Sequence, residues 1–429
     1  MKRQLRRILA AATLLAISCS TGLGQTSTNH GLVGVGRIPS TSFDQLGPNL
    51  DTLGGIGSAI WLDPLSLTRS GDEAGGFTYA GVLYSAQDRG FGDGAQDFHP
   101  RLQSFQVQIT PYYGAAPAPQ TQIALSNTAT MLLTYDLTNT FTGFDAGSLT
   151  SVNFPSSEAN SPGKGHRSLD PEGLTRALDG GWYIADEYGP FIYKFSAGGN
   201  LDYAMRPPAA FLPKRGPYPA ANAFTATNLP TSGRRNNRGF EGVSLTPDGR
   251  RLLTVLQSPL VQDGGAGNLA RADRLVVFDV DPASASYQQP IAEYIYPLSL
   301  NGSATTNRNT PLSEILALNS VQFLVIERDN LGLGSGTNTV PSFKRVMIGD
   351  LSVATNIINT GYDLEAGAPG QISFAPGSLP PGVAPVSRVD LVNLLDPGEL
   401  ARFGLNLSTN QDLNTLNEKW EGLALLPLV

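Results

Sequence analysis

The sequence predicts an all-β fold, a β-propeller of six blades, or seven if the loops are short. Three observations carry that expectation. A strand–turn–strand unit returns along the chain with acids at equivalent points, from Glu172 to Glu241 after 69 residues and to Glu314 after a further 73. Repeats of that size, each a small antiparallel sheet, are the pattern of a propeller. Charged residues make up 15% of the 429, against 48 Gly and 31 Pro, a balance that favours many short strands joined by turns. Beyond the first 25 residues no amphipathic helical stretch of convincing length is found. A β-sandwich array or two barrels is the alternative, but neither requires acids at matching points of each unit.

The elements follow in order. The N-terminus, MKRQLRRILAAATLLAISCSTGLGQ, places basic residues ahead of an apolar run from Ile8 to Ile17. That run is far too short to span a bilayer, so residues 1–25 read as a secretory leader rather than an anchor. Cys19, the only cysteine, follows Ala16-Ile17-Ser18 and resembles a bacterial lipoprotein box with a suboptimal first residue. Ordinary cleavage near Gly24 is the other reading. Either leaves a mature fold without a disulfide and implies export to the periplasm, the outer-membrane surface or the medium. Losing Lys2, Arg3, Arg6 and Arg7 moves the net charge from −7 to −11. Such a protein is a poor partner for nucleic acid and a fair one for cations. Residues 26–429 are expected to form a single propeller domain, monomeric and with no transmembrane segment.

Within that domain the first unit opens at Gly54-Gly-Ile-Gly-Ser-Ala-Ile-Trp61 and closes at Tyr84-Ser-Ala-Gln-Asp88-Arg89. The clearest copy is Glu172-Gly-Leu-Thr, the turn Asp179-Gly180-Gly181, then Trp182 to Asp186-Glu187. It returns as Glu241-Gly-Val-Ser-Leu-Thr, Pro247-Asp248-Gly249 and Arg251 to Gln257. A looser copy joins Ser313-Glu314 through Asn319-Ser320 to Glu327-Arg328. Asp-Gly and Asn-Ser between apolar runs are hairpin turns. Arg274–Val280 and Phe191–Phe195 read as outer strands, and Tyr112–Gln122 and Leu229–Asn237 as loops. If each Glu-Gly opens an inner strand and each closing pair ends its neighbour, both ends of every hairpin fall on one face, near the axis. Carboxylates from several blades then converge, and a bound cation relieves their repulsion.

Asp170-Pro-Glu-Gly173, Asp186-Glu-Tyr-Gly-Pro190, Gly239-Phe-Glu-Gly242, Ile326-Glu-Arg328, Trp420-Glu-Gly422 and Asp88-Arg89-Gly90 together resemble the phytase-like β-propeller family, the one labelled for esterase-like activity of phytase. The similarity runs from about Gly54 to the end. It implies an exported, metal-binding propeller with hydrolytic activity on phosphate or other esters. Family members usually continue past the last Glu-Gly into a turn and another strand. Here the chain ends at Val429, so the last blade is expected to lack its return strand, and Gly31–Gly36 is the candidate for an outer strand closing the ring.

Five glutamates, Glu172, Glu187, Glu241, Glu327 and Glu421, are the candidate metal ligands. Calcium takes roughly six to eight oxygen ligands and tolerates irregular geometry, which suits a ring of carboxylates. Three His and one leader Cys make zinc improbable. Each glutamate could instead pin its blade through backbone N–H groups. Glu172, Glu241, His166, Arg238 and Arg328 are the candidate catalytic set: carboxylates to act on water, His166 as acid or base near neutrality, and Arg forks for phosphate oxygens. Arg89 is a further candidate, while Arg234 and Arg235 read as solvated loop charges. There is no Gly-x-Ser-x-Gly elbow, phosphate loop or dinucleotide fingerprint, and Asp279-Val-Asp281-Pro lacks the Gly and final Glu of an EF-hand loop. Two functions remain open. One is a calcium-dependent hydrolase of a small phosphoester or related ester. The other is a non-catalytic propeller binding a ligand or protein, with metal only rigidifying the ring.

Overall fold

Trp182 and Ile184 turn to one side of their strand, Tyr183 and Ala185 to the other, and all four are buried. Side chains alternate across a pleat, so a strand buried on both faces can stack its sheet between two others. The same division recurs at Leu252 and Leu256 against Leu253 and Val255, and at Val276 and Phe278 against Leu275 and Val277. These runs of Leu, Val, Ile and aromatic residues suit a pleated surface. Burying each such side chain stabilises the stack by about 1.5–3 kcal/mol.

The computed structural model describes residues 29–426 apart from 40, 48–52, 91–96, 145, 152–153, 158–165, 225–228, 265–268, 302–307, 337–338 and 374–377. The leader with Cys19, and Lys164 and Gly165 ahead of His166, lie outside the described residues. Leu32–Val429 form one compact unit. No described helix is long and apolar enough to cross a membrane.

Four antiparallel sheets make the blades. The first holds β1 (Ile56–Leu62), β3 (Gly76–Gln87), β4 (Arg101–Ile109) and β5 (Ile123–Leu132), with β2 (Thr68–Asp72) as an added flap on β3. The second is β6 (Pro171–Arg176), β7 (Trp182–Asp186), β8 (Ile192–Phe195) and β9 (Leu201–Met205). The third is β10 (Phe240–Leu245), β11 (Arg251–Leu256), β12 (Ala272–Asp279) and β13 (Pro290–Pro297). The fourth is β14 (Leu312–Ala317), β15 (Gln322–Arg328), β16 (Lys344–Asp350) and β17 (Ser387–Asn393). In each, the order in space follows the order in sequence, from the axis outward.

The protein is thus an all-β propeller; among the described residues it has one short α-helix, α1 (Pro397–Arg402), capped by the Asp396 side chain, and two 3-10 turns, Ala209–Phe211 and Val261–Asp263. Among the described residues it has four blades, not six or seven. Dividing chain length by a repeat of about 70 residues overcounts, because much of the chain is spent between blades. The inner strands begin at Ile56, Pro171, Phe240 and Leu312. Only the later intervals match the expected period. Short two-stranded ribbons and irregular segments, at 133–170, 206–239, 351–386 and 394–426, take up the remainder.

Residues 420–426 occupy the space between β14 and β1 and pair with no strand among the described residues. Leu423 packs beside Leu316 and Leu324 and gives its N–H to Glu314, while Glu421 reaches Ser58 of β1 at 3.4 Å. The expected outer strand at Gly31–Gly36 is not a strand; Leu32 packs in the cluster of Leu395, Leu400 and Leu416, and its N–H donates to Glu399. The carbonyls of Val33 and Val35 accept from Tyr112 N at 2.7 Å and Gln122 N at 3.1 Å, beside the first blade. At one end the inner strands present polar and acidic residues. At the other, Ile60–Leu62, Val243–Leu245, Ile315–Ala317 and Leu423–Leu426 line a mainly apolar chamber of about 640 Å³.

Candidate functional site

Every inner strand breaks register with its neighbour at the same height. The shift falls between Ile56 and Ala59 in β1, Pro171 and Gly173 in β6, Phe240 and Gly242 in β10, and Leu312 and Glu314 in β14. A bulge leaves the extra residue unpaired and re-aims its side chain. The residues so released are Ser58, Glu172, Glu241 and Ser313. The glycine that follows each glutamate is a packing requirement. A Cβ on Gly173 would lie 2.5 Å from the Val243 nitrogen, and one on Gly242 2.5 Å from the Glu314 carboxylate. The inner strands meet backbone to backbone here. In the fourth blade Ser313, not Glu314, occupies the bulge. Glu314 stands one residue later and accepts from Ile315 N at 2.8 Å.

A second tier comes from the ends of the neighbouring strands. Glu187 N donates to Asp170 O, Gln257 N to Gly239 O and Arg328 N to Pro311 O, at 2.9–3.0 Å. Asp88, Glu187, Gln257 and Arg328 therefore hold one equivalent position. One residue earlier the side chain faces the other way, as the period of two requires. Asp186 accepts from Asp170 N, Tyr188 N and Gly189 N. Glu327 accepts from Ser299 N and Thr310 Oγ1 and pairs with Arg388 at 3.0 Å. Gln87 donates to Gly54 O. These three pin loops.

The structure therefore brings together Glu172, Glu187, Glu241 and Glu421 with Arg328, and does not bring Glu327 to them. Arg328 gives Nε to Ser313 at 2.6 Å and Nη2 to Glu421 at 2.7 Å, and lies 3.8 Å from Glu241. Arg238 acts at one remove: its Nη1 holds Gln257 Oε1 at 2.7 Å, and Gln257 Nε2 donates to both oxygens of Glu241 at 2.9 and 3.0 Å. Arg89 sits 3.6 Å from Asp170. His166 is placed against Thr140 O at 3.0 Å and the Tyr135 ring. Arg234 and Arg235 are not solvated loop charges. Arg234 is buried and donates to Tyr188 O, and Arg235 donates to Pro259 O, because this loop's carbonyls need donors.

One sector carries more acid than it can settle. Asp170, Glu172 and Glu187 each bring a carboxylate oxygen within 4.8 Å of the others. Both oxygens of Asp170, Oε2 of Glu172 and Oε1 of Glu187 are buried without a hydrogen bond. Burial pushes Asp170 up to about 7, against the pull of Arg89. Burial, then the charges of Glu241 and Asp170, drives Glu172 well above its ordinary value. Burial, then Asp170, does the same to Glu187. Glu241 rises to about 8 through burial and Glu421, with Arg328 opposing. An all-oxygen, anionic donor set with orphaned lone pairs fits a hard cation of the calcium or magnesium kind.

Sequence reasoning quoted Asp170 in a motif without adding it to the metal set. It also missed Gln257 and Lys419. Lys419 Nζ lies 3.1 Å from Asp88 Oδ2 at the lip of the site. Gln257 was detectable as the residue standing where Glu187 and Arg328 stand. Lys419 has only its place before Trp420-Glu421 to mark it.

A family model described as "Esterase-like activity of phytase" matches residues 73–427, which takes in every acidic residue of the site. The chain belongs to this phytase-like family. Among curated proteins, this phytase-like chain is 32% identical over 452 residues to an "Uncharacterized secreted protein" of Arthroderma benhamiae, covering 97% of this chain and 86% of that one. Among solved structures, hydrazine synthase of Kuenenia stuttgartiensis matches with a TM-score of 0.26 and 10% identity. That match covers 72% of this chain and 66% of the other, a likeness too slight to bear on fold or function.

Proposed function

We propose that the protein is an exported, calcium-dependent propeller hydrolase of a small phosphoester or related ester. The observation that carries this is the trio Asp170, Glu172 and Glu187, with four buried oxygens that accept no hydrogen bond among the described residues. Export is supported by the leader and by the secreted relative. Asp170, Glu172 and Glu187 would hold the ion, which when bound supplies Lewis-acid polarisation of the ester and orients water. Glu241 faces the same mouth with both oxygens fixed by Gln257, placed to take the proton of the attacking water or return it to the leaving oxygen. Arg328 balances charge beneath them.

The rival reading, a non-catalytic propeller with structural metal, draws on a specific feature: Arg328 ties Glu421, and so the closing segment, into the ring. One experiment separates the two. Terbium luminescence and calorimetry report calcium binding, and p-nitrophenyl phosphate and acetate report turnover, with and without chelator. Turnover that needs calcium and is lost in Glu172→Gln supports the hydrolase. Calcium binding without turnover of any ester leaves the structural reading.

A further inference from the structure

A pocket of about 530 Å³ is lined by the start of β1 from Gly55 to Ser58, by Asp88, and by Asn417–Glu421 of the closing segment; the carboxylate trio is outside its lining and is linked to it through Asp88 and Lys419, whose charges act on Asp170 and Glu172. Lys419 stands in its wall. Its side chain is 46% exposed, whereas the ring beneath is buried, with Glu172 at 4% and Glu241 at 1%. Asp88 Oδ2 engages its ammonium at 3.1 Å. Glu172, Glu421 and Asp88 all favour its charged form, against the cost of burial.

The other cations of the site are committed. Arg328 is held through Ser313, Glu421 and Asn330, Arg238 through Gln257, and Arg89 faces Asp170 at 3.6 Å. A lysine differs from these in kind. It is a compact charge with three donors on a flexible stem, and one anchoring contact, to the buried carboxylate of Asp88, lets it turn toward an incoming group. Six carboxylates, Asp88, Asp170, Glu172, Glu187, Glu241 and Glu421, face three cations here, Arg89, Arg328 and Lys419. An anion approaching that surface unaided would be repelled.

We propose that Lys419 is the anion-recognition residue of the pocket, leaving Asp88 to hold a phosphate or similarly charged oxyanion of the substrate beside the ion bound by Asp170, Glu172 and Glu187. The inference rests on the metal reading above and adds to it a substrate class: anionic esters in preference to neutral ones. Asp88 is then the resting partner of the lysine and competes with substrate for it. Lys419 positions and selects. It is not required to take part in bond breaking.

The test uses inorganic phosphate as the probe and the full mature chain, titrated calorimetrically with and without calcium, with terbium luminescence reporting the metal separately. Lys419→Met should weaken phosphate binding at least tenfold while leaving terbium affinity within about threefold. Asp88→Asn, which keeps the lysine and removes its competitor, should tighten phosphate binding severalfold. A purely structural Lys419–Asp88 tie would move neither in opposite directions. Phosphate binding unchanged in Lys419→Met, or weakened in Asp88→Asn, overturns the proposal, as does a wild type that binds terbium but no phosphate. If terbium does not bind at all, the metal reading fails. Lys419 is then judged on metal-free phosphate binding, where loss in Lys419→Met keeps it and indifference or absence of binding removes it.

Discussion

Two sectors of the ring share a backbone and differ in how their charges are settled. In the second blade Glu172 emerges from its bulge among Asp170 and Glu187, with oxygens left bare. In the third and fourth, Glu241 emerges from the same bulge into the amide of Gln257 and the guanidinium of Arg328, where Ser313 and Glu421 complete the bonding. The fold provides equivalent exits around the axis. The side chain waiting at the neighbouring strand end, Glu187, Gln257 or Arg328, decides whether an exit is left with crowded carboxylates or becomes a tie between blades.

The comparison can be broken most severely at Arg328. Its replacement by Met strands buried Glu241 and Glu421, and losing one partner of a buried pair costs about 3–5 kcal/mol. Urea unfolding should show that loss, and calcium should not restore it. A smaller effect of opposite origin is expected in the other sector. Calcium at about a hundred times its dissociation constant should add about 2.7 kcal/mol to the wild type, and chelator should remove it. Glu172→Gln should abolish the gain while raising the melting temperature of the chelated protein, since a crowded charge is gone. Equal calcium responses in wild type and Glu172→Gln would refute the division into sectors.

pH sharpens the same contrast. Asp170 and Glu241 titrate at about 7 and 8 when folded, above the ordinary 3.8 and 4.5. The folded state therefore holds more protons between those limits, and chelated protein should lose stability as pH rises from about 4 to about 8. Calcium affinity should rise over the same range as ligands shed protons. Melting curves across pH, with Glu172→Gln and Glu241→Gln as controls, check both slopes. The smallest effect belongs to Glu327→Gln. It should cost about 1–3 kcal/mol of stability through its bonds to Ser299 and Arg388, yet leave calcium affinity within twofold by terbium luminescence.

The sequence disclosed the repeat, the all-β class and the convergence of acids, because Glu-Gly marks a bulge and a close strand contact that recur. It misled on blade count, since the inserted ribbons and irregular segments carry no period of their own. It also misplaced Glu327. In Glu327-Arg328, as in Asp186-Glu187, only the second residue faces the axis, and that parity is visible only once the ladder is registered. His166 looked promising by adjacency, but Thr140 and Tyr135 claim it through a connection that no motif announces.

The closing segment has a consequence for how the molecule is made. Blades one to four can stack as neighbours in sequence, each needing only the one before it. Glu421, however, meets Ser58 across a separation of 363 residues and Arg328 across 93. Contacts of such range form late, because loop closure must precede the contacts that reward it. The pocket walled by residues 417–421 is therefore complete only when the last segment has seated, whereas Asp170, Glu172 and Glu187 are gathered at the second blade alone. If those three hold an ion, stopped-flow terbium luminescence should rise with the early tryptophan signal during refolding, and Leu423→Ala, which weakens the seat of the last segment, should slow recovery of phosphate binding without slowing that rise.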